Sequence, residues 1–169
     1  MFFQKGFTAV SANFYDTTNL YVNPTIDQLD NKPLALSIAA RKANLMYRQS
    51  QIENKDAGKL KLALETFLFA IDLIDEIAAG YNLEKARLEL EKDSRRIYNE
   101  SLNVVYELFE ITADESFIQH AFSIAERSKA ALLTENIRDG KAKTLAGVPD
   151  SLIANERDIK VMLAWHQTN

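Results

Sequence analysis

Apolar residues of this chain mostly recur every three or four positions, which is the spacing of an amphipathic α-helix. The clearest run lies between Asp56, which can cap a helix, and Gly80, which can end one. We therefore predict a helix here, and its buried stripe comprises Leu60, Ala63, Leu64, Phe67, Ala70, Ile71 and Ile74.

Caps and turn residues predict two further helices on either side of this one. Asn31 followed by Pro33 predicts a helix from about residue 32, because proline fits the first turn, where its missing N–H is not needed. The apolar face of that helix comprises Ala39, Ala43, Met46 and Tyr47. A long helix is predicted from about 83 to 111, and its apolar residues are Leu88, Ile97, Leu102, Val105, Tyr106 and Phe109.

Two more helices are predicted in the last third of the chain. The stretch "TADE", Thr112–Glu115, matches a capping box, with Asp114 as the alternative cap. The helix that follows runs to about residue 138 and ends near Gly140. The stretch "GVPD" then marks a last helix start at Asp150.

The helix after "TADE" carries small residues where a core helix usually carries large ones. Ala121, Ala125 and Ser128 lie along one side of it. Helix axes lie about 8–10 Å apart, at a distance set by the side chains where they cross, so small residues allow a close approach. We therefore expect another helix close against this side, with Tyr106 of the preceding helix filling the space above the small residues.

The predicted helix pairs echo one another along the chain. Asn44 and Tyr47 recur 59 residues later as Asn103 and Tyr106. The second helices match at 58 residues, with Ala63, Phe67 and Ala70 against Ala121, Ala125 and Ser128. This pattern of small and aromatic positions resembles the tetratricopeptide repeat. A standard repeat has about 34 residues, so each helix here would be longer by roughly three turns.

We therefore predict an all-α fold in which antiparallel helix hairpins stack as a short right-handed tetratricopeptide-like solenoid with long helices. The same phase places Ala9 and Ala12 in a preceding repeat and Trp165 in a following one, so we expect the chain to be a fragment. The single helical-repeat domain, residues 1–169, divides into 1–13 as the end of a preceding repeat, 14–31 as an ordered connection, 32–80 as the first helix pair, 82–140 as the second, and 149–169 as a truncated next helix.

Composition narrows the class of protein. A hydrophobic fraction of 47%, a charged fraction of 26% and only 5 Gly and 3 Pro are typical of a folded, helical domain. The net charge of −4 argues against nucleic acid or an anionic membrane as partner, since both attract clustered Lys and Arg. The absence of cysteine excludes disulfides and thiolate catalysis, and no stretch reaches the roughly 20 apolar residues of a membrane span. We favour a cytoplasmic location.

No residue pattern indicates catalysis, a cofactor or a metal. His120 and His166 belong to no HExxH or ExxH pattern. Asp72, Asp75 and Glu76 resemble an acidic metal-binding motif, but a lone cluster of this kind is typical of a solvated helix face. The chain has no glycine-rich phosphate loop and no nucleophile paired with a base. We therefore expect no enzyme activity and no catalytic, cofactor-binding or metal-binding residues.

Three stretches together resemble a known family: "NPTIDQLDNKPLALSIAARKANLMYRQ", "AFSIAERSKAALLTENIRD" and "GVPDSLIANERDIK". They are similar to the long-helix tetratricopeptide region that precedes a CHAT domain, a caspase-like cysteine peptidase, in bacterial proteins. The resemblance covers nearly the whole chain, and its most specific parts are "AERSKA" and "GVPDSL". It implies a sensing or scaffolding segment, with the peptidase domain C-terminal to this region.

Repeat solenoids bind partners on an extended concave surface. The resemblance implies that the first helix of each pair lines this surface. The candidate protein-binding residues are then Arg41, Asn44 and Arg48 in the first pair and Glu100, Asn103 and Glu107 in the second. The alternative is that these are ordinary solvated charges, with the two asparagines serving helix packing.

The expected function is a protein–protein interaction scaffold or regulatory segment of a larger TPR–CHAT protein, without catalysis of its own. The expected partner is a protein or peptide, including the CHAT domain of the same chain. One alternative is a stand-alone helical-bundle ligand-binding domain or enzyme, which predicts an enclosed polar pocket. Another is a structural spacer or homo-oligomer, in which the truncated ends of two copies pair.

Overall fold

A computed structural model of the chain describes residues 2–53, 55–80, 84–145 and 147–168. Over these residues the protein is all-helical, as predicted, and its β-pairing is limited to one isolated bridge between Ser11 and Leu29. The helices pack against one another. They are α1 (Phe2–Ala9), α2 (Lys32–Ile52), α3 (Ala57–Gly80), α4 (Glu84–Thr112), α5 (Ser116–Leu145) and α6 (Asp150–Thr168), and a 3-10 turn spans Ile26–Gln28.

The predicted caps of α2 and α3 are confirmed. The side chain of Asn31 accepts a hydrogen bond of 3.1 Å from the backbone N–H of Leu34, and Pro33 lies in the first turn of α2. The carboxylate of Asp56 accepts a bond of 2.7 Å from the backbone N–H of Lys59. Each cap satisfies a donor that the first turn of a helix leaves without an intrahelical partner.

The start of α5 corrects one expectation. Asp114, the alternative cap, accepts a hydrogen bond of 2.9 Å from the backbone N–H of Ser116. Thr112 does not cap α5, because it is the last residue of α4 and its hydroxyl donates to the carbonyl of Leu108 at 2.6 Å. The capping box at "TADE" is therefore wrong, and the simpler aspartate cap is correct.

The end of α5 lies beyond the predicted position. The helix continues through Gly140 to Leu145, because one glycine inside a helix costs only about 1 kcal/mol relative to alanine. The stronger stop signals come later. Gly147 adopts a positive φ of 69°, and Pro149 follows it before α6 begins at Asp150, the predicted start.

Contacts divide the chain into two compact units, Met1–Ser128 and Lys129–Asn169. In the first unit α3 packs against both α2 and α4. Every residue of the predicted α3 stripe is buried, which confirms that stripe, and α4 adds Ile97, Val104 and Leu108, all without solvent exposure. The core of this unit therefore surrounds α3.

Ion pairs at both ends of the first hairpin show that α2 and α3 are antiparallel. Lys32 at the start of α2 pairs with Glu76 near the end of α3, with 2.6 Å between Nζ and Oε1. Glu53, which follows α2, pairs with Lys59 at the start of α3. Few residues separate Ile52 from Ala57, and a connection this short is typical of two consecutive helices that pack antiparallel.

Tyr106 does not fill the space above Ala121, Ala125 and Ser128, so that expectation is wrong. Its side chain is 63% exposed, and the three small residues are only half-buried. The reason is the phase of α4. Val105 faces the core, and successive residues of an α-helix differ by about 100° in direction, which turns Tyr106 outward.

The N-terminal segment, residues 2–31, is ordered and packs on the first hairpin. The ring of Phe7 is buried and makes edge-on contacts with Phe14 and Phe69, at centroid distances of 6.3 and 6.0 Å. A Cβ added at Gly6 would lie 3.2 Å from Ile38, so glycine permits the close approach of α1 to α2.

The second unit contains the end of α5 and all of α6. No helix among the described residues is long and apolar enough to cross a membrane. The side chains of Leu88, Trp165 and His166, named above from the sequence, lie outside those that the structure describes.

Candidate interaction face on helices α2 and α4

The six predicted binding residues lie along neighbouring sides of α2 and α4. Asn44 contacts Glu100 and Gln51 contacts Glu107, so a step of seven residues on α2 matches a step of seven on α4. The two helices are therefore parallel. We call this surface the α2–α4 face, and it comprises Arg41, Asn44, Tyr47, Arg48 and Gln51 of α2 with Glu100, Asn103 and Glu107 of α4.

Both carboxylate oxygens of Glu107 accept hydrogen bonds from α2. The Tyr47 hydroxyl donates to Oε1 at 2.9 Å, and Gln51 Nε2 donates to Oε2 at 2.5 Å. Burial, followed by the bond to Glu107 and the negative charge of that residue, raises the pKa of Tyr47 to about 12. The phenol therefore remains a donor across the neutral pH range, and Glu107 is bound within the chain.

Glu100 lies half-buried between the two helices. Its Oε2 accepts a short hydrogen bond from Asn44 Nδ2. Burial raises the pKa of Glu100, although Arg96, Asn44 and Arg48 all favour the charged carboxylate. Asn44, Glu100 and Glu107 were predicted to share one surface, and there Glu100 binds Asn44 while Glu107 binds Tyr47 and Gln51.

Arg41, Arg48 and Asn103 remain exposed on this face. Arg48 lies near enough to Glu100 to favour its ionised form. Within the part of the chain that the structure describes, Arg41 makes no hydrogen bond or ion pair. The groups available to a partner are therefore mainly the guanidinium ions and the amide of Asn103.

A second polar site, which was not predicted from the sequence, lies at Lys42. This lysine is fully buried, and its Nζ donates to Gln4 Oε1 at 3.1 Å, to the Val22 carbonyl at 3.2 Å and to Asn23 Oδ1 at 2.9 Å. All three acceptors are neutral. The ammonium also lies 5.5 Å from the centroid of the Phe7 ring, within range of a cation–π contact.

Gln4 completes this cluster by donating from Nε2 to the carbonyls of Asn19 at 2.6 Å and Val22 at 3.0 Å. Burial lowers the pKa of Lys42 to about 8, because no carboxylate among its acceptors offsets the lost hydration. A sequence signal existed, since Lys42 continues the buried positions Ala35 and Ala39 at helical spacing. The cluster joins the N-terminal segment to α2.

The acidic stretch of α3 forms ion pairs rather than a metal site. Arg127 of α5 donates to Asp72 at 2.8 Å and to Asp75 at 2.6 and 3.0 Å, and Glu76 pairs with Lys32. Among the described side chains, no group of three His, Cys, Asp or Glu is arranged to hold a metal ion. The other candidate ligand that is described, His120, lies beside the ring of Phe117 at 6.2 Å.

Arg127→Ala is expected to lower the free energy of unfolding of the first unit by about 1 kcal/mol at low salt, and by less at 1 M salt, because the pair is partly exposed. Urea denaturation at the two salt concentrations measures this. Arg41→Ala is the matched control, since Arg41 is exposed and makes no described contact. Equal losses in both variants would contradict a specific link between α3 and α5.

The α2–α4 face offers recognition by charge and by hydrogen bonding. Its carboxylates are bound by donors of α2, and its arginines point outward. Guanidinium ions bind carboxylates through two parallel hydrogen bonds.

Comparison of the chain with protein-family models, curated proteins and solved structures gives no match.

Proposed function

We propose that this chain is a protein-interaction scaffold that binds a protein or peptide on the α2–α4 face, within a short right-handed tetratricopeptide-like stack of helix hairpins. The observation that supports it most is the separation of the residues in contact. Contacts between α2 and α4 join residues 56 and 60 positions apart, and those between α3 and α5 join residues 52 and 55 apart. These separations lie near the 58–59-residue echo of the sequence.

A stack of repeated hairpins accounts for those separations. When one hairpin follows another in the same orientation, each helix lies beside its equivalent in the next hairpin, about one repeat away in sequence. The parallel pair α2 and α4 fits the first helices of two such hairpins. Their shared face is then part of an extended surface, where Arg41, Arg48 and Asn103 are open to a partner.

We further propose that the partner belongs to the larger protein that the family resemblance implies. In a TPR–CHAT protein the scaffold would position or restrain the caspase-like domain through a segment of that domain. In that arrangement the peptidase chemistry would belong to the caspase-like domain and not to this helical region.

A second candidate function is self-association. Ile118 and Phe122, one turn apart on α5, are 54% and 69% exposed, and pairing of two copies would cover them. Light scattering across protein concentrations tests this. A mass that doubles in the native chain and stays single in Phe122→Glu supports pairing, and a constant mass excludes it.

A display library of random peptides selected on the full chain tests the scaffold. We expect selected peptides to lose binding to the double variant Arg48→Ala/Asn103→Ala and to retain it with Lys61→Ala/Glu65→Ala. All four residues are exposed, so both variants should fold, and the control pair lies on α3. If no selected peptide depends on the α2–α4 face, the proposed function is wrong.

A further inference from the structure

We infer that the α2–α4 face binds an extended peptide with two acidic side chains three residues apart, one beside Arg41 and one beside Arg48. This inference rests on the proposed function and specifies the chemistry of its partner. It follows from the charge that the face presents to solvent and from the spacing of the two arginines along α2.

The charge that the α2–α4 face presents to a partner depends on which of its groups are already bound within the chain. Both oxygens of Glu107 accept bonds from Tyr47 and Gln51, and Glu100 accepts one from Asn44. These carboxylates are half-buried between the helices. Arg41 and Arg48 are exposed, so a partner meets their positive charge first. An acidic ligand is complementary to this arrangement, and a basic ligand is not.

Helix geometry sets the distance between the two arginines. Arg41 and Arg48 are seven residues apart, which is nearly two full turns, so both lie on the same side of α2. At 1.5 Å per residue their Cα atoms are about 10.5 Å apart along the axis. A polyproline II peptide has three residues per turn and rises 3.1 Å per residue, so its positions i and i+3 share a side at about 9.3 Å.

Other peptide conformations fit less well. In a β-strand the positions that share a side are two or four residues apart, at roughly 6.7 or 13.4 Å. Both distances differ from the arginine spacing by about 3 Å or more. Polyproline II backbone is also free to bond outward, and Asn103, exposed on the neighbouring helix, can donate its amide to a peptide carbonyl.

Synthetic peptides of one composition test the inference. Proline-rich peptides with Glu-x-x-Glu, Glu-x-Glu and Glu-x-x-x-Glu, and a Lys-x-x-Lys analogue, would be titrated against the full chain by fluorescence anisotropy. We expect Glu-x-x-Glu to bind most tightly, the lysine analogue not to bind, and affinity to fall as salt rises.

Variants of the protein identify the two contacts. Arg41→Ala and Arg48→Ala should each weaken Glu-x-x-Glu binding about two- to fivefold, as solvent-exposed charge pairs do. Replacing one peptide glutamate by glutamine should weaken binding to the native chain, with much less effect in the variant that lacks the matching arginine. Lys61→Ala, an exposed lysine on α3, is the control and should change nothing.

Three results would overturn the inference: equal affinity at all spacings, tighter binding of the lysine analogue, or no effect of either arginine variant. The peptide-library experiment separates this failure from that of the proposed function. Library peptides that need the face but lack paired acidic residues would refute only the acidic partner. The absence of any peptide that needs the face would refute both.

Discussion

Replacing Phe67 by alanine is expected to lower the free energy of unfolding of the first unit by about 3–5 kcal/mol. Phe67 lies in α3 with no solvent exposure, between Ala63 and Ala70, which are equally buried. These alanines have no side chain long enough to move into the space that the ring leaves, so the cavity persists. Urea denaturation followed by far-UV circular dichroism measures the loss, and hydrogen exchange of the α3 amides assigns it to this unit.

The matched control is Phe122→Ala on α5. Its ring is 69% exposed, so the same truncation should change the free energy of unfolding by no more than about 0.5 kcal/mol. A comparable loss in both variants would mean that Phe67 is not in a close-packed core, and the arrangement of α2, α3 and α4 around it would have to be abandoned.

Lys42→Met is expected to lower the free energy of unfolding by about 1–3 kcal/mol at pH 7, because Gln4 Oε1 and Asn23 Oδ1 lose a buried donor. Methionine has a similar length, so the loss reports hydrogen bonding more than volume. The effect should be concentrated in the N-terminal segment, where amide exchange in α1 should become faster than in α3.

The burial of Lys42 should also affect how the free energy of unfolding depends on pH. Its pKa is lowered from 10.5 to about 8 in the folded chain, so between these values the unfolded chain binds the proton and the folded chain does not. The contribution of Lys42 to the free energy of unfolding therefore rises with pH across that window, by about 2 kcal/mol between pH 8 and 10. The pKa values of Tyr47 and Tyr98 are raised to about 12. These two groups make the free energy of unfolding fall with rising pH, but only above about pH 10.

Urea denaturation at pH 8, 9 and 10 measures this rise in the native chain and in Lys42→Met, where it should be absent. Lys61→Met is the control, since Lys61 is exposed on α3 and should leave the rise unchanged. A rise of equal size in the native chain and in both variants would show that Lys42 is not the group that titrates.

The buried stripe of α3 and the caps at Asn31 and Asp56 were predictable because they depend on residues a few positions apart. A helical stripe follows from the 3.6-residue period, and a cap follows from one side chain and the next three N–H groups. The end of α5 was not predictable from Gly140, since two stop signals compete along the chain. Gly147 with Pro149 ends the helix, and Gly140 lies inside it.

The α2–α4 face was predictable in its location but not in its bonding. The family resemblance implied that Asn44, Glu100 and Glu107 lie on one surface as groups for a partner. The structure pairs Asn44 with Glu100, and Glu107 with Tyr47 and Gln51. Which polar groups satisfy each other depends on the relative shift of α2 and α4, and no local pattern determines that shift.

The sequence by itself determined the all-helical class, the starts of α2, α3 and α6, and the apolar stripe around which the first unit packs, because those properties follow from neighbours along the chain. Tertiary structure alone decided that Lys42 is buried against Gln4 and Asn23, and that Tyr106 is left in solvent. The physical reason is that both outcomes depend on which distant segment covers a helix face. The pattern of one helix shows where its apolar side lies, and only the folded chain shows which segment, if any, covers the rest of its surface.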